Sequence, residues 1–121
     1  MSGGTSRSAD LPAVTKKLLD YAARARGDIE AIEAYYLEKA SEAVAGQAVD
    51  AILSEAEKIA ALDLKFRPGI RMGTRECVMT RFPYTLVYLS RAREVKIVRV
   101  LHQRSEYFNR LAAASLIDSK K

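Results

Sequence analysis

His102 is the only histidine of the 121-residue chain. It closes the apolar run KIVRVLH (96–102) and stands between Arg99 and Arg104. An imidazole is the one side chain whose ordinary titration falls between pH 5 and 8, so it can move a proton, hold a partner or simply end a strand. An arginine inside an apolar run is rare on a covered face without a partner. On an open face its guanidinium offers a planar fork to phosphate or carboxylate. If the run is a strand, residues two apart share a face. Arg99 and Leu101 then point one way, and Val98, Val100 and His102 the other, so Arg99 and His102 are not a ready-made pair. Arg75, Arg81 and Arg104 complete an arginine-rich group in the same half of the chain.

Other chemistries find little support. There is no Walker A loop, no GxGxxG and no HExxH. Nor is there a nucleophile-elbow motif. One cysteine and one histidine cannot build a zinc site from those residue types. Cys77 has no partner for an internal disulfide, which points to a reducing compartment, and it reads as a small buried hydrophobe. Tyr84 and Tyr88 share a strand face and read as packing residues. No secretory h-region and no apolar run of membrane-spanning length is present, so the cytoplasm is the expected location.

Charge divides the chain. Residues 1–64 carry a net −4, whereas 65–110 carry a net +8. A basic second half favours an acidic partner, either nucleic acid or an acidic protein segment.

The elements that must position these residues follow from periodicity. The length suits one domain, expected over 14–117, with a Gly/Ser-rich leader at 1–13 and a frayed tail at 118–121. TKKLLDYAA (15–23) reads as a strand or as the start of a helix. RGDIEAIEAYYLEKA (26–40) predicts a helix with Ile29, Ile32 and Tyr36 on one face and Asp28 in its first turn, where the helix dipole favours negative charge. A second helix is expected over 41–62, capped by Ser41, with Val44, Ala48, Ile52 and Ala56 as its stripe. Their short link predicts an antiparallel hairpin. Residues 62–74 read as a loop. RECVMTRF (75–82), YTLVYLSR (84–91) and EVKIVRVL (94–101) predict an antiparallel meander, one face packed on the helices and the other polar, with Pro83 at a turn. SEYFNRLAAASLI (105–117) predicts a short helix with Ser105 as its cap. The class is α+β: a helical hairpin on a small antiparallel sheet.

The run GTRECVMTRFPYTLVYLSRAREVKIVRVLHQRSEY resembles the C-terminal signature of the RelE/ParE toxin superfamily, and within it the ParE-type plasmid-stabilisation toxins. DIEAIEAYYLEKA is similar to the family's first helix, and KKLLDYA to its first strand, which places that segment in the sheet. The resemblance spans roughly residues 16–108. The leader at 1–13 departs from the pattern, since family members usually begin at the first strand. The resemblance implies the toxin of a bacterial type II toxin–antitoxin module. Its partner would be a cognate antitoxin of ribbon-helix-helix type whose acidic C-terminal segment folds on the basic sheet, and DNA would be met only through that antitoxin. Arg75, Arg81, Arg99 and Arg104 are then the expected partner-binding residues. No metal or cofactor is implied.

The superfamily divides by target. ParE-like members inhibit DNA gyrase by binding, and RFPYTLVY and RVLHQR look more like these. RelE-like members cut mRNA on the ribosome without metal. On that alternative His102 or Glu106 would serve as acid or base, Arg75, Arg99 and Arg104 as phosphate clamps, and Tyr107 as a stacking or proton-donating group. A third possibility is a non-toxic relative that only binds an antitoxin.

Overall fold

The computed structural model describes residues 17–69 and 73–104. The chain runs β1 (Leu18–Tyr21), α1 (Ala23–Lys39), α2 (Glu42–Leu62), β2 (Arg67–Pro68), β3 (Thr74–Val78), β4 (Tyr84–Ser90) and β5 (Glu94–His102). The five strands form one mixed sheet in the order β1-β5-β4-β3-β2. β3, β4 and β5 are the expected antiparallel meander. β1 lies parallel to β5, with Leu18 opposite Glu94 and Tyr21 opposite Ile97. Parallel neighbours need a long crossover, and the α1–α2 hairpin supplies it. The predicted helix over 105–117, the tail, the leader and residues Glu106 and Tyr107 lie outside the described residues.

Four sequence expectations change. β2 occupies part of the segment read as a loop, with Arg67 opposite Glu76 and Pro68 opposite Arg75. Pro68 has no N–H, which is tolerated at a sheet edge. Secondly, α1 begins at Ala23, and no acidic residue lies in its first turn. Asp28 is therefore not a dipole partner. Thirdly, the α2 stripe is Ala45, Ala48, Ile52, Ala56, Ile59 and Ala60, with Val44 only half-buried. Ser41 does cap α2, its Oγ accepting from Val44 N at 3.1 Å.

Fourthly, the sheet face opposite the helices is not an open polar surface. Leu86, Tyr88, Val95, Ile97 and Val100 join Ile52, Ala56 and Ile59 in the core between sheet and helices. On the opposite face Thr74, Glu76, Thr85, Val87 and Leu101 are buried as well. The central strand reads YTLVYL without alternation, as a strand covered on both faces must. Glu76 on this face binds Arg67 Nε through Oε1 at 3.1 Å, while its Oε2 has no hydrogen-bond partner among the described residues.

One side-chain knot fixes the end of α2. Asp63, in the left-handed region (φ 50°), caps the helix, and its N–H donates to Ile59 O. Its Oδ1 holds both Lys17 Nζ and Lys65 Nζ at 2.7 Å. Lys17 Nζ also donates to Ser90 Oγ at 3.2 Å. The hydrogen bond from Lys17, then that from Lys65, hold the Asp63 carboxyl below the usual carboxylate range. A lowered native value stabilises the fold above the ordinary aspartate range and loses that contribution as the pH falls through the native value. Melting temperatures measured against pH are expected to separate wild type from Asp63→Asn above about pH 4, and to converge below it.

Candidate functional site

The chain needs a device where β1 ends. β1 covers β5 only as far as Ile97, whose carbonyl accepts from Ala22 N at 2.8 Å before the chain turns into α1. Beyond that point β5 would present bare backbone donors, which are costly when buried. Asp28 takes over. Its Oδ2 accepts from Val100 N at 2.9 Å, and its two oxygens accept from Arg99 Nε and Nη2 at 2.8 and 3.1 Å. Both side chains are largely covered, at 18% and 27% exposure for Asp28 and Arg99. A charge-assisted fork of this kind is among the stronger hydrogen-bonded pairs.

A bulge makes this contact possible. Tyr88 pairs with Ile97 and Val87 with Arg99, so Val98 is an extra residue in β5. Strict alternation from Val95 and Ile97 would send Arg99 toward the helices. The bulge shifts the phase, so that Val100 faces Leu86 and His102 faces Tyr84 on the helix side. Arg99 and His102 are thus separated, as the sequence argument required.

At the end of β5 the chain folds back on the β3–β4 turn. Gln103 N donates to Pro83 O at 2.8 Å, and Gln103 Nε2 donates to Met79 O and Tyr84 O at 3.0 and 3.1 Å. His102 is exposed, and its Nδ1 accepts from Arg104 N at 3.0 Å. Nε2 is the ring nitrogen left for other contacts. Gln103→Ala is expected to cost about 1–2 kcal/mol, since it removes the side-chain donor of Met79 O and one of the two donors of Tyr84 O. Faster hydrogen exchange at the Met79 amide, which donates to Tyr84 O, would locate the loss in the β3–β4 turn.

Aromatic rings connect this end of the sheet to α1. Tyr36 packs edge-on against Tyr35, Phe82 and Tyr84, and Tyr84 packs edge-on against His102 with centroids 5.5 Å apart. Burial first, and Tyr36 beside it second, push the Tyr84 phenol above its ordinary value. Between the rings lies a pocket of about 520 Å³ lined by Ala31, Ile32, Tyr35, Tyr36, Pro83, Tyr84 and His102. Arg81 stands over the Phe82 ring at 5.6 Å. Arg104 is exposed two residues beyond the His102 wall.

The remaining candidates are scattered. Arg75 faces Tyr88 on β4, and its Nη1 donates to Phe66 O at 2.8 Å. His102 faces Tyr84, four residues away on the same strand. That spacing alone is roughly 13 Å. Arg99 turns its fork to Asp28 and makes a further interaction besides. Arg81 and Arg104 are the two expected partner-binding arginines that lie at the pocket end. Among the described residues no group of His, Cys, Asp and Glu could hold a metal ion. Cys77 is buried, its Sγ donates to Glu55 Oε1 at 3.6 Å, and burial followed by the Glu55 charge pushes its thiol up to about 12.

Asp28 and Gln103 carry the geometry of this end; the sequence reading gave Asp28 only a helix-dipole role and gave Gln103 none. No local pattern ties Asp28 to a strand more than 70 residues away. Gln103 lies within the VLHQR run, but a glutamine after a strand is not by itself a signal.

Comparison with known proteins agrees with this architecture. A family model described as the ParE toxin of the type II toxin–antitoxin system, parDE, matches residues 19–107. No curated protein matches the chain. Among solved structures, one chain of the chromosomal ParDE toxin–antitoxin system from P. aeruginosa superposes with a TM-score of 0.66 at 22% identity, covering 73% of this chain and 97% of that one. At that identity the likeness concerns the fold alone. With the family model matched over most of its length, the chain belongs to the ParE toxin family of type II toxin–antitoxin systems.

Proposed function

We propose that this toxin is neutralised by a cognate antitoxin and acts in the cytoplasm by binding and inhibiting DNA gyrase, without cleaving RNA. The observation that carries the choice of binding over cleavage is the dispersal of the cationic groups. A metal-free ribonuclease needs its proton-transfer groups and its phosphate clamp within hydrogen-bonding reach of one phosphate. Here Arg75 serves the Phe66 carbonyl and Arg99 binds Asp28, neither stands beside His102, and of the three candidate clamps only Arg104 lies near it. The antitoxin reading draws on the family match and on the net +8 of residues 65–110, which an acidic segment would complement.

On this reading the imidazole is not a catalyst. His102→Ala is expected to leave growth arrest on induced expression within about twofold of wild type. Mapping of mRNA ends in the same cells should show no induced cleavage. Loss of arrest in a His102→Ala variant that still folds and binds antitoxin, together with A-site cleavage by wild type, would replace this reading with an mRNA interferase. Absence of any arrest by the wild-type chain would leave only a relative that binds an antitoxin.

A further inference from the structure

We infer that the turn between β4 and β5 is a contact point for the phosphate backbone of duplex DNA, so that this chain touches DNA itself and not only through an antitoxin. The inference does not depend on which target the toxin stops. The turn lies between Ser90 and Glu94, and its tip residues Arg91, Ala92 and Arg93 are all exposed. Arg91 N donates to Glu94 O at 2.8 Å and closes it. Two contacts from outside the hairpin brace it. Leu18 N of β1 donates to Arg93 O at 3.0 Å. Lys17 Nζ, held by Asp63 at the end of α2, donates to Ser90 Oγ at 3.2 Å. Two arginines on a braced backbone, with only an alanine between them, reach a row of phosphates with little ordering left to do.

The charges of every element at this end keep it cationic. Lys17 and Lys65 share the single carboxylate of Asp63, and Glu94 lies 3.4 Å from Arg91. Arg75 stands beside Phe66, the residue after Lys65. The next carboxylates are turned elsewhere: Asp20 meets Arg26 at 3.7 Å, and Glu57 acts on Tyr21 at the other end of β1. The exposed acids of the helices, Glu30, Glu33, Glu38, Glu42 and Asp50, belong to the far end of the molecule. Asp28 already meets Val100, about 20 Å up β5 from Glu94, and α1 runs on from there to the Tyr84 end before α2 returns. A polyanion therefore draws the chain in with this turn foremost. Two other partners fit less well. A protein interface needs apolar anchors gathered at its centre. Leu18 and Leu62 are exposed here, but Leu19 and Tyr21 pack on the core, so Leu18 lies on the far face of the sheet, whereas Leu62 ends α2 on the helix side. Single-stranded RNA needs ring faces for successive bases, and the exposed ring among the described residues of this end is Phe66 alone, at 37%. Phosphates of a duplex need only the cations.

The test titrates the full chain, without antitoxin, into a fluorescent DNA duplex of arbitrary sequence and reads anisotropy between about 50 and 200 mM salt. Arg91, Arg93 and Lys65 are the exposed cations nearest the tip. Three phosphate contacts give a slope of log affinity against log salt of about −2.7. Arg91→Gln combined with Arg93→Gln is expected to bring that slope to about −1 and to weaken binding about tenfold at the lowest salt, with a melting temperature near that of wild type. Arg24→Gln combined with Arg26→Gln removes the same charge from exposed positions at the start of α1 and should leave the slope near that of wild type. Unlabelled duplex should displace the probe at lower concentration than single-stranded RNA or polyglutamate of equal charge. Equal losses in the two double variants would overturn the assignment, since they would reduce binding to net charge. An unchanged slope in the tip variant, no duplex binding by wild type, or stronger displacement by the RNA or the polyglutamate would also overturn it. Duplex binding is read without gyrase, ribosomes or growth arrest, so failure of this inference and failure of the gyrase reading give different results.

Discussion

Asp28→Ala is expected to lower the stability of the fold by about 3 kcal/mol, within the range for breaking a largely covered ion pair. The carboxylate does two jobs at once: it closes the fork of Arg99 and takes the backbone donor of Val100. Its loss takes the carboxylate fork from Arg99 and leaves a strand N–H to find water at a site with little access. For a domain of this size that corresponds to a fall in melting temperature of about 10 °C or more. Asp28→Asn should retain part of the stability, since its amide oxygen can still accept one bond. Asp28→Leu combined with Arg99→Leu should cost less than Asp28→Ala alone, because no uncompensated charge remains. A double variant as unstable as the sum of its parts would show that the two residues do not act as a pair.

Tyr88→Phe should cost about 2 kcal/mol, though it removes a single oxygen. Tyr88 is fully buried, and its hydroxyl accepts from Phe66 N at 3.1 Å and donates to Leu64 O at 3.0 Å. Those bonds fasten the segment between α2 and β2 to the central strand. Without them two backbone groups of the segment lose their partner, and each costs on the order of 1 kcal/mol or more when left unsatisfied. Hydrogen exchange at the Phe66 amide is expected to rise by more than the global loss of stability explains. Equal change across all slow amides would mean that the hydroxyl supports the core generally and not this segment.

The elements were legible wherever the apolar period was strong. The stripe of α2 and the β-branched runs of β4 and β5 declared themselves, because burial on one helix face or in a central strand imposes composition directly. β1 was ambiguous as a short apolar run, and the family resemblance placed it. β2 escaped notice since two residues pair only because Glu76 and Arg75 lie opposite. The site was less legible. The bulge at Val98 shifts which side chains of β5 meet the helices, and a bulge leaves no composition signal of its own here. Asp28 looked like a helix-dipole charge, yet its partner comes from the far end of the chain. Tyr36 was read as a core position. It also joins four rings into the pocket wall, which is visible only once α1 lies across the end of β4.

The central claim, that this family member stops its target by binding, is tested most directly with purified gyrase. Increasing amounts of the full chain are added to a DNA supercoiling reaction, with and without the co-encoded antitoxin. The account predicts dose-dependent loss of supercoiling, restored by antitoxin at equimolar amounts, while mRNA on translating ribosomes given the same amounts of the chain stays intact. Normal supercoiling at a large excess of a chain that still arrests growth in cells would contradict it.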